Sequence, residues 1–243
     1  MKNVINKIGI DHLWYNKNNQ DYCLIIDEYE NNPKLKMVLD GCGSGDSSEV
    51  GVKLFTQLFN EHFSKEISIE KFEEQVDYII KILLNISSNT QFIFNNLFFT
   101  IICVFELEDK FVVKICGDGY LILQNINNSI EYVSFDDGEY PKYILYNYLG
   151  NDTRDIYKDG VCFETITYPK TAYSNVCVAS DGLRYIYDLP TTEKYKFEEL
   201  ILEKKAEKIK MLINRNHPKF KDDITICIWF PFGLHLTCNW FCF

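Results

Sequence analysis

Arginine is scarce in this 243-residue chain: Arg154, Arg184 and Arg215 are the full set. Lysine and arginine together number 25 against 35 acids, a net charge of -10. Nucleic acid needs a basic face to meet its phosphates, so that class of partner is excluded. Paired cysteines are lacking too. Nine cysteines occur without one CxxC pair, a spacing that supports neither a zinc site nor a disulfide framework. Cys103, Cys116, Cys177 and Cys227 lie inside apolar runs and read as reduced, buried thiols of a cytoplasmic protein. The opening "MKNVINKIGIDHLW" has no apolar core of signal-peptide length. The apolar ending "ITICIWFPFGLHLTCNWFCF" is interrupted by Pro231, Gly233, His235 and Asn239, so no membrane span is expected.

Hydrophobic residues make up 47% of the chain, enough for a packed core. No linker or repeat divides it. The expectation is one domain over residues 1–230 and an apolar tail, 231–243, whose role the sequence does not assign. "KLKMVLD" reads as a strand ending at Asp40. Helical spacing follows from Ser47 to Phe63, and again through "SIEKFEEQVDYIIKILLNI", where Ser68 is the expected N-cap. The period then changes. "FFTIICVFELED", "KFVVKICG", "YLILQN" and "SIEYVSF" read as strands joined by successive hairpins, with "GDG" at 117–119 as one tight turn. "VCFETITY", "SNVCVAS" and "DITICIWF" are further strands, and a third helix is predicted from about Tyr195 to Asn214. This pattern is an α+β fold: a central antiparallel β-sandwich flanked by helices in α-β-β-α layers.

Carboxylates recur where core strands begin or end. Asp21 precedes "YCLII", Asp40 closes "KMVL", Asp181 follows "NVCVAS", and Asp222 and Asp223 open "ITICIW". Ionised acids gathered at one mouth repel each other unless cations offset them. All-oxygen ligands without paired His or Cys point to Mg²⁺ or Mn²⁺. Two such ions polarise a phosphoryl group and activate water. Ser44, Ser47 and Ser48 stand in a glycine-rich loop before a helix, without a Ser-His-Asp order, and the loop lacks the "GK[ST]" ending of a P-loop.

Taken in order, "GIDHLWYNKNNQD", "LDGCGSGDSSEVG", "FFTIICV", "CGDGYLIL", "VASDGL" and "KDDITICIW" resemble the metal-dependent type 2C protein serine/threonine phosphatases, in a bacterial branch, over residues 8 to 230. The resemblance implies two Mn²⁺ or Mg²⁺ ions, with Asp40 bridging them and the Gly41 carbonyl on one. It places Asp181 and Asp222 on the other metal, and Asp21 on a metal or its waters. It implies direct attack by activated water, phosphoprotein substrates, and a serine/threonine kinase, or that kinase's targets, as the opposing partner. It also leaves Asp223 as a hydrogen-bonding neighbour of Asp222.

Three departures stand out. Relatives carry an arginine shortly before the "NQD" acid to grip phosphate; Asn16 and Lys17 stand there instead, so Lys17, a point charge, and His12 are the candidates for that contact. Where relatives place an acid for a third metal, this chain has Asn95 and Asn96, which argues against one. "GDG" replaces the common "GDSR". The missing arginine defines the alternative reading, a weak or inactive pseudophosphatase serving as a binding module.

Overall fold

The computed structural model describes residues 3–27, 33–136, 141–149, 157 and 159–228; Arg154 and the apolar stretch 231–243 lie outside them. Ten strands are described: β1 Val4–Lys7, β2 Asp21–Ile26, β3 Lys34–Gly41, β4 Phe99–Glu106, β5 Lys110–Cys116, β6 Gly119–Asn125, β7 Ile130–Phe135, β8 Glu164–Pro169, β9 Tyr173–Ala179 and β10 Ile224–Cys227. They form two five-stranded sheets, ordered β1-β10-β9-β6-β7 and β2-β3-β4-β5-β8. Neighbouring strands in both run antiparallel.

Strand periodicity explains the layers. Along β3, Leu35, Met37 and Leu39 face the helices α2 (Glu49–Phe63) and α3 (Phe72–Leu84), where they pack with Phe55, Phe59, Val76 and Ile79. Val38, on the opposite face, packs between the sheets with Cys23, Ile102, Val104, Val176, Val178 and Cys227. On the far side, Ile224 and Ile226 meet Phe197, Leu200, Ile209 and Leu212 of α5 (Thr191–Leu202) and α6 (Ala206–Arg215). Burying one such side chain contributes about 1.5–3 kcal/mol. The expected α-β-β-α sandwich is what these three cores build.

Several local expectations are corrected. The predicted third helix is two, because Lys204 takes a left-handed φ of 57° between α5 and α6. Two short helices, α1 (Ile10–Trp14) and α4 (Thr90–Asn96), and strand β1 were not predicted. The α3 helix starts at Phe72, and Lys71 rather than Ser68 is its N-cap residue. "GDG" is not a hairpin turn: β5 pairs with β4 and β8, whereas β6 pairs with β7 and β9. The segment carries the chain from one sheet to the other. Gly117 has φ of +105°, and a Cβ there would lie 2.4 Å from the Thr100 methyl, so only glycine fits this corner.

One burial went unanticipated. Lys36 alternates onto the face between the sheets and is fully buried; its ammonium donates to the Val176 carbonyl. Asn175 Oδ1 and the Ile228 carbonyl lie 3.4 Å away. Burial pushes the Lys36 pKa down.

Candidate metal centre

The faces that pack apolar side chains between the sheets turn polar at one shared end. Val38 gives way to Asp40 on β3, Cys23 to Asp21 on β2, and Ile102 to Thr100 on β4. From the other sheet, Val178 gives way to Ser180, and Cys227 to Thr225 and then Asp223. A period of two therefore aims all these groups at the same mouth of the sandwich. Asp21 and Asp40 are direct cross-strand partners, an arrangement of like charges that is destabilising by itself.

Partners are few for so many acids. Ser180 donates its hydroxyl to Asp21 Oδ2 at 2.5 Å, and the Asp181 amide lies 3.4 Å from Asp40 Oδ2. Asp21 Oδ1 is buried with no hydrogen-bond partner. Burial, then repulsion from Asp223, pushes the Asp21 pKa well above the usual carboxylate range. Burial followed by repulsion from Asp21 and Asp181 does the same to Asp40. Asp181 is raised to about 6, first by burial and then by Asp222. Asp118, expected only as a turn residue within "GDG", adds a further charge that raises the Asp40 pKa.

An orphaned buried oxygen and a set of carboxylates held against their own repulsion fit a hard divalent cation, because such an ion satisfies both at once. Asp21, Asp40, Asp181 and Asp222 supply only oxygen, which suits Mn²⁺ or Mg²⁺ rather than zinc. Gly41 does not turn the chain. It stays in β3, paired with Phe99, and a Cβ there would lie 2.7 Å from the Gln20 carbonyl. Arg184 offsets part of the charge, with Nη2 2.7 Å from Asp181 and 3.7 Å from Asp222. Arg184→Ala is therefore expected to tighten Mn²⁺ binding several-fold in a calorimetric titration, with Arg184→Lys close to wild type; weaker binding in the alanine variant would mean that Arg184 orients the acids instead.

Asp222 and Asp223 have separate duties. Asp223 Oδ1 accepts from the Gly9 amide (2.7 Å), and Oδ2 accepts from the Gln20 amide (2.5 Å) and lies 2.9 Å from His12 Nδ1. Both oxygens are taken, so Asp223 holds the N-terminal segment in place. Its charge raises the His12 pKa against the effect of burial. His12, Asp222 and Asp223 each bring an atom within 4.8 Å of the others, but Asp223 already meets three nitrogens of the N-terminal segment. Asp222 is partly exposed and borders a hollow of about 560 Å³, with His12, Tyr15, Lys17, Tyr185 and Lys221 also in its wall. Lys17 donates to the Gly43 carbonyl at 2.6 Å and the Gly45 carbonyl at 2.9 Å, so its charge sits at the lip of the hollow. Asn95 is tied to the glycine loop through Asp46 at 2.5 Å.

The protein phosphatase 2C family model matches residues 8–212, a span with Asp21, Asp40 and Asp181 that stops short of Asp222. Solved structures agree on the fold. A bacterial serine phosphatase carrying one substitution matches with TM-score 0.65 and 19% identity over 92% of this chain and 94% of its own. Serine/threonine phosphatase Stp1 from Staphylococcus aureus matches with TM-score 0.61 and 18% identity, covering 92% and 91%. The catalytic domain of the phosphatase PstP, in complex with two manganese ions, matches with TM-score 0.57 and 14% identity, covering 92% and 94%. No curated protein matches the chain.

Proposed function

Since the chain belongs to the protein phosphatase 2C family, we propose that it hydrolyses phosphoserine and phosphothreonine esters on proteins, with two Mn²⁺ or Mg²⁺ ions held by Asp21, Asp40, the Gly41 carbonyl, Asp181 and Asp222. The observation that carries this reading is Asp40 set directly opposite Asp21, with Asp181 and Asp222 close enough to raise its pKa and Asp21 Oδ1 left unsatisfied. A binding module has no need of such a costly arrangement, and this favours the enzyme over the pseudophosphatase. When bound, the ions would polarise the phosphoryl group and lower the pKa of a water.

The chain's own groups do the rest. Asp40 and Asp21 fix the floor of the site from adjacent strands, and Asp181 and Asp222 close it from the other sheet. His12 Nε2 faces the hollow, 3.9 Å from where a Gly43 Cβ would be. The hydrogen bond to Asp223 raises the His12 pKa, which favours the protonated imidazole that can deliver a proton to the leaving serine or threonine oxygen. Lys17 supplies positive charge at the entrance and draws the dianionic phosphate. Lys17→Ala is expected to raise KM several-fold with a smaller change in kcat; an unchanged KM would remove the phosphate role.

Residues 1–230 are proposed as one catalytic unit, because among the described residues the first strand, β1, pairs with the last, β10. The described cysteines are all free, which suits the cytoplasm, and no described helix is long and apolar enough to cross a membrane. The opposing enzyme would be a serine/threonine kinase. The test is turnover of a phosphothreonine peptide and of p-nitrophenyl phosphate, with Mn²⁺ and with EDTA. Mn²⁺-dependent peptide hydrolysis is the expected result. Metal binding without turnover would return the binding-module reading, and turnover of the small ester alone would mean a small-molecule phosphoesterase.

A further inference from the structure

Beside the hollow, the end of α1 and its C-cap residue present Leu13, Trp14 and Tyr15 to solvent, with Trp14 77% and Tyr15 76% exposed. Three consecutive large apolar residues at a surface are costly to leave in water. The segment is also held firmly. The Ile10 and Asp11 amides donate to the Phe220 and Lys221 carbonyls at 2.9 and 3.0 Å, and the Gly9 amide donates to Asp223. At its other end the Lys17 amide donates to the His12 carbonyl at 2.8 Å, and the Lys17 ammonium is bound to the glycine loop. His12, on the same short helix, is buried and points inward. One helix thus carries a proposed catalytic imidazole on one side and an exposed aromatic ledge on the other.

We infer that this ledge binds the polypeptide flanking the phosphorylated residue, and that the favoured substrate carries a large apolar or aromatic side chain within a few residues of its phosphoserine or phosphothreonine. The inference rests on the phosphatase reading above. Its occupant follows from continuity: Tyr15 belongs both to the ledge and to the wall of the hollow, alongside His12, Lys17 and Asp222. A phosphorylated residue seated there can run its neighbours over Tyr15 onto the adjoining Trp14, since consecutive residues of an extended chain advance about 3.3 Å each. Aromatic side chains on a fixed backbone lose little entropy on contact, which makes Trp14 the anchor of this surface. Lys17 and Lys221 lie in the same wall, so the phosphate is met by positive charge and its flank by apolar surface.

The experiment compares Mn²⁺-dependent kcat/KM for two phosphothreonine peptides, one with phenylalanine on both sides of the phosphothreonine and one with glycine at those positions. The wild-type enzyme should favour the phenylalanine peptide by about tenfold, the usual size of one aromatic anchor. Trp14→Ala should remove most of that preference and leave turnover of the glycine peptide unchanged, whereas Trp14→Phe should keep most of it. Melting temperatures equal to wild type show that the variants are folded. Equal turnover of both peptides by the wild type, or an intact preference in Trp14→Ala, overturns the inference while the phosphatase reading stands. Absence of Mn²⁺-dependent turnover on either peptide overturns both.

Discussion

Asp40→Asn is expected to abolish hydrolysis and, in the same protein, to raise the melting temperature of the metal-free form. Loss of an outer-shell partner alone typically lowers metal affinity or activity by about 10–100-fold, so removing the proposed bridging carboxylate should cost more than about 100-fold in kcat/KM. Stability moves the other way because Asp40 lies opposite Asp21, with Asp181, Asp118 and Asp222 also raising its pKa. Neutralising it relieves that repulsion, and each kcal/mol gained raises the melting temperature of a chain this long by about 2–4 °C.

The pH dependence gives the sign. Asp40 and Asp21 bind protons more tightly folded than unfolded, so their ionisation destabilises the fold as pH rises above the unfolded value near 3.8, and Asp181 does so up to about 6. The difference between the metal-free variant and wild type should therefore be small near pH 4 and widen toward neutrality. Saturating Mn²⁺ should reverse the order, stabilising wild type more than the variant. Thermal melts at several pH values, with EDTA and with Mn²⁺, check this. A metal-free variant that melts below wild type at pH 7 would show that the Asp40 charge is already offset within the protein.

Asp223→Ala carries the second large effect, this time on the fold. It strands the Gly9 and Gln20 amides and leaves His12 without its ion partner. Each buried donor left unsatisfied costs about 1–3 kcal/mol, more when the lost acceptor was charged, so a loss of roughly 3–5 kcal/mol is expected by urea denaturation. Asp223→Asn should lose less, and it serves for the chemical readout. Without the Asp223 charge, burial acts on His12 with less opposition, and its imidazole should titrate at lower pH by NMR. In terms of stability, the raised His12 pKa contributes below pH 6.5 and the contribution fades as pH rises through the folded value, so the Asn variant should lose most against wild type in acid. An unmoved His12 titration would mean that Asp223 does not set its charge state.

These two neighbours show what the sequence could and could not convey. "DD" at 222–223 is the same letter twice, and the resemblance alone separated their roles. The structure does it by register: Asp223 falls on the face between the sheets and is buried, whereas Asp222 borders the hollow. Strands, the two long N-terminal helices and the sandwich itself were legible because apolar periodicity reports burial directly. The "GDG" corner was not, since a hairpin and a crossover both need glycine with positive φ. Lys36 was invisible for a related reason: both faces of β3 are buried, so alternation does not say which polar residue is sealed in. The α1 helix is five residues long, too short for any period to emerge.

The pairing of β1 with β10 has a consequence in time. Ile5 is matched to Ile226, and Gly9 is tied to Asp223, so residues 4–9 wait for residues 223–227 to be synthesised. Until then His12 has no counter-ion and Asp222 has not yet been made. The proposed metal centre therefore cannot assemble until residues 222 and 223 have left the ribosome, well after Asp21 and Asp40.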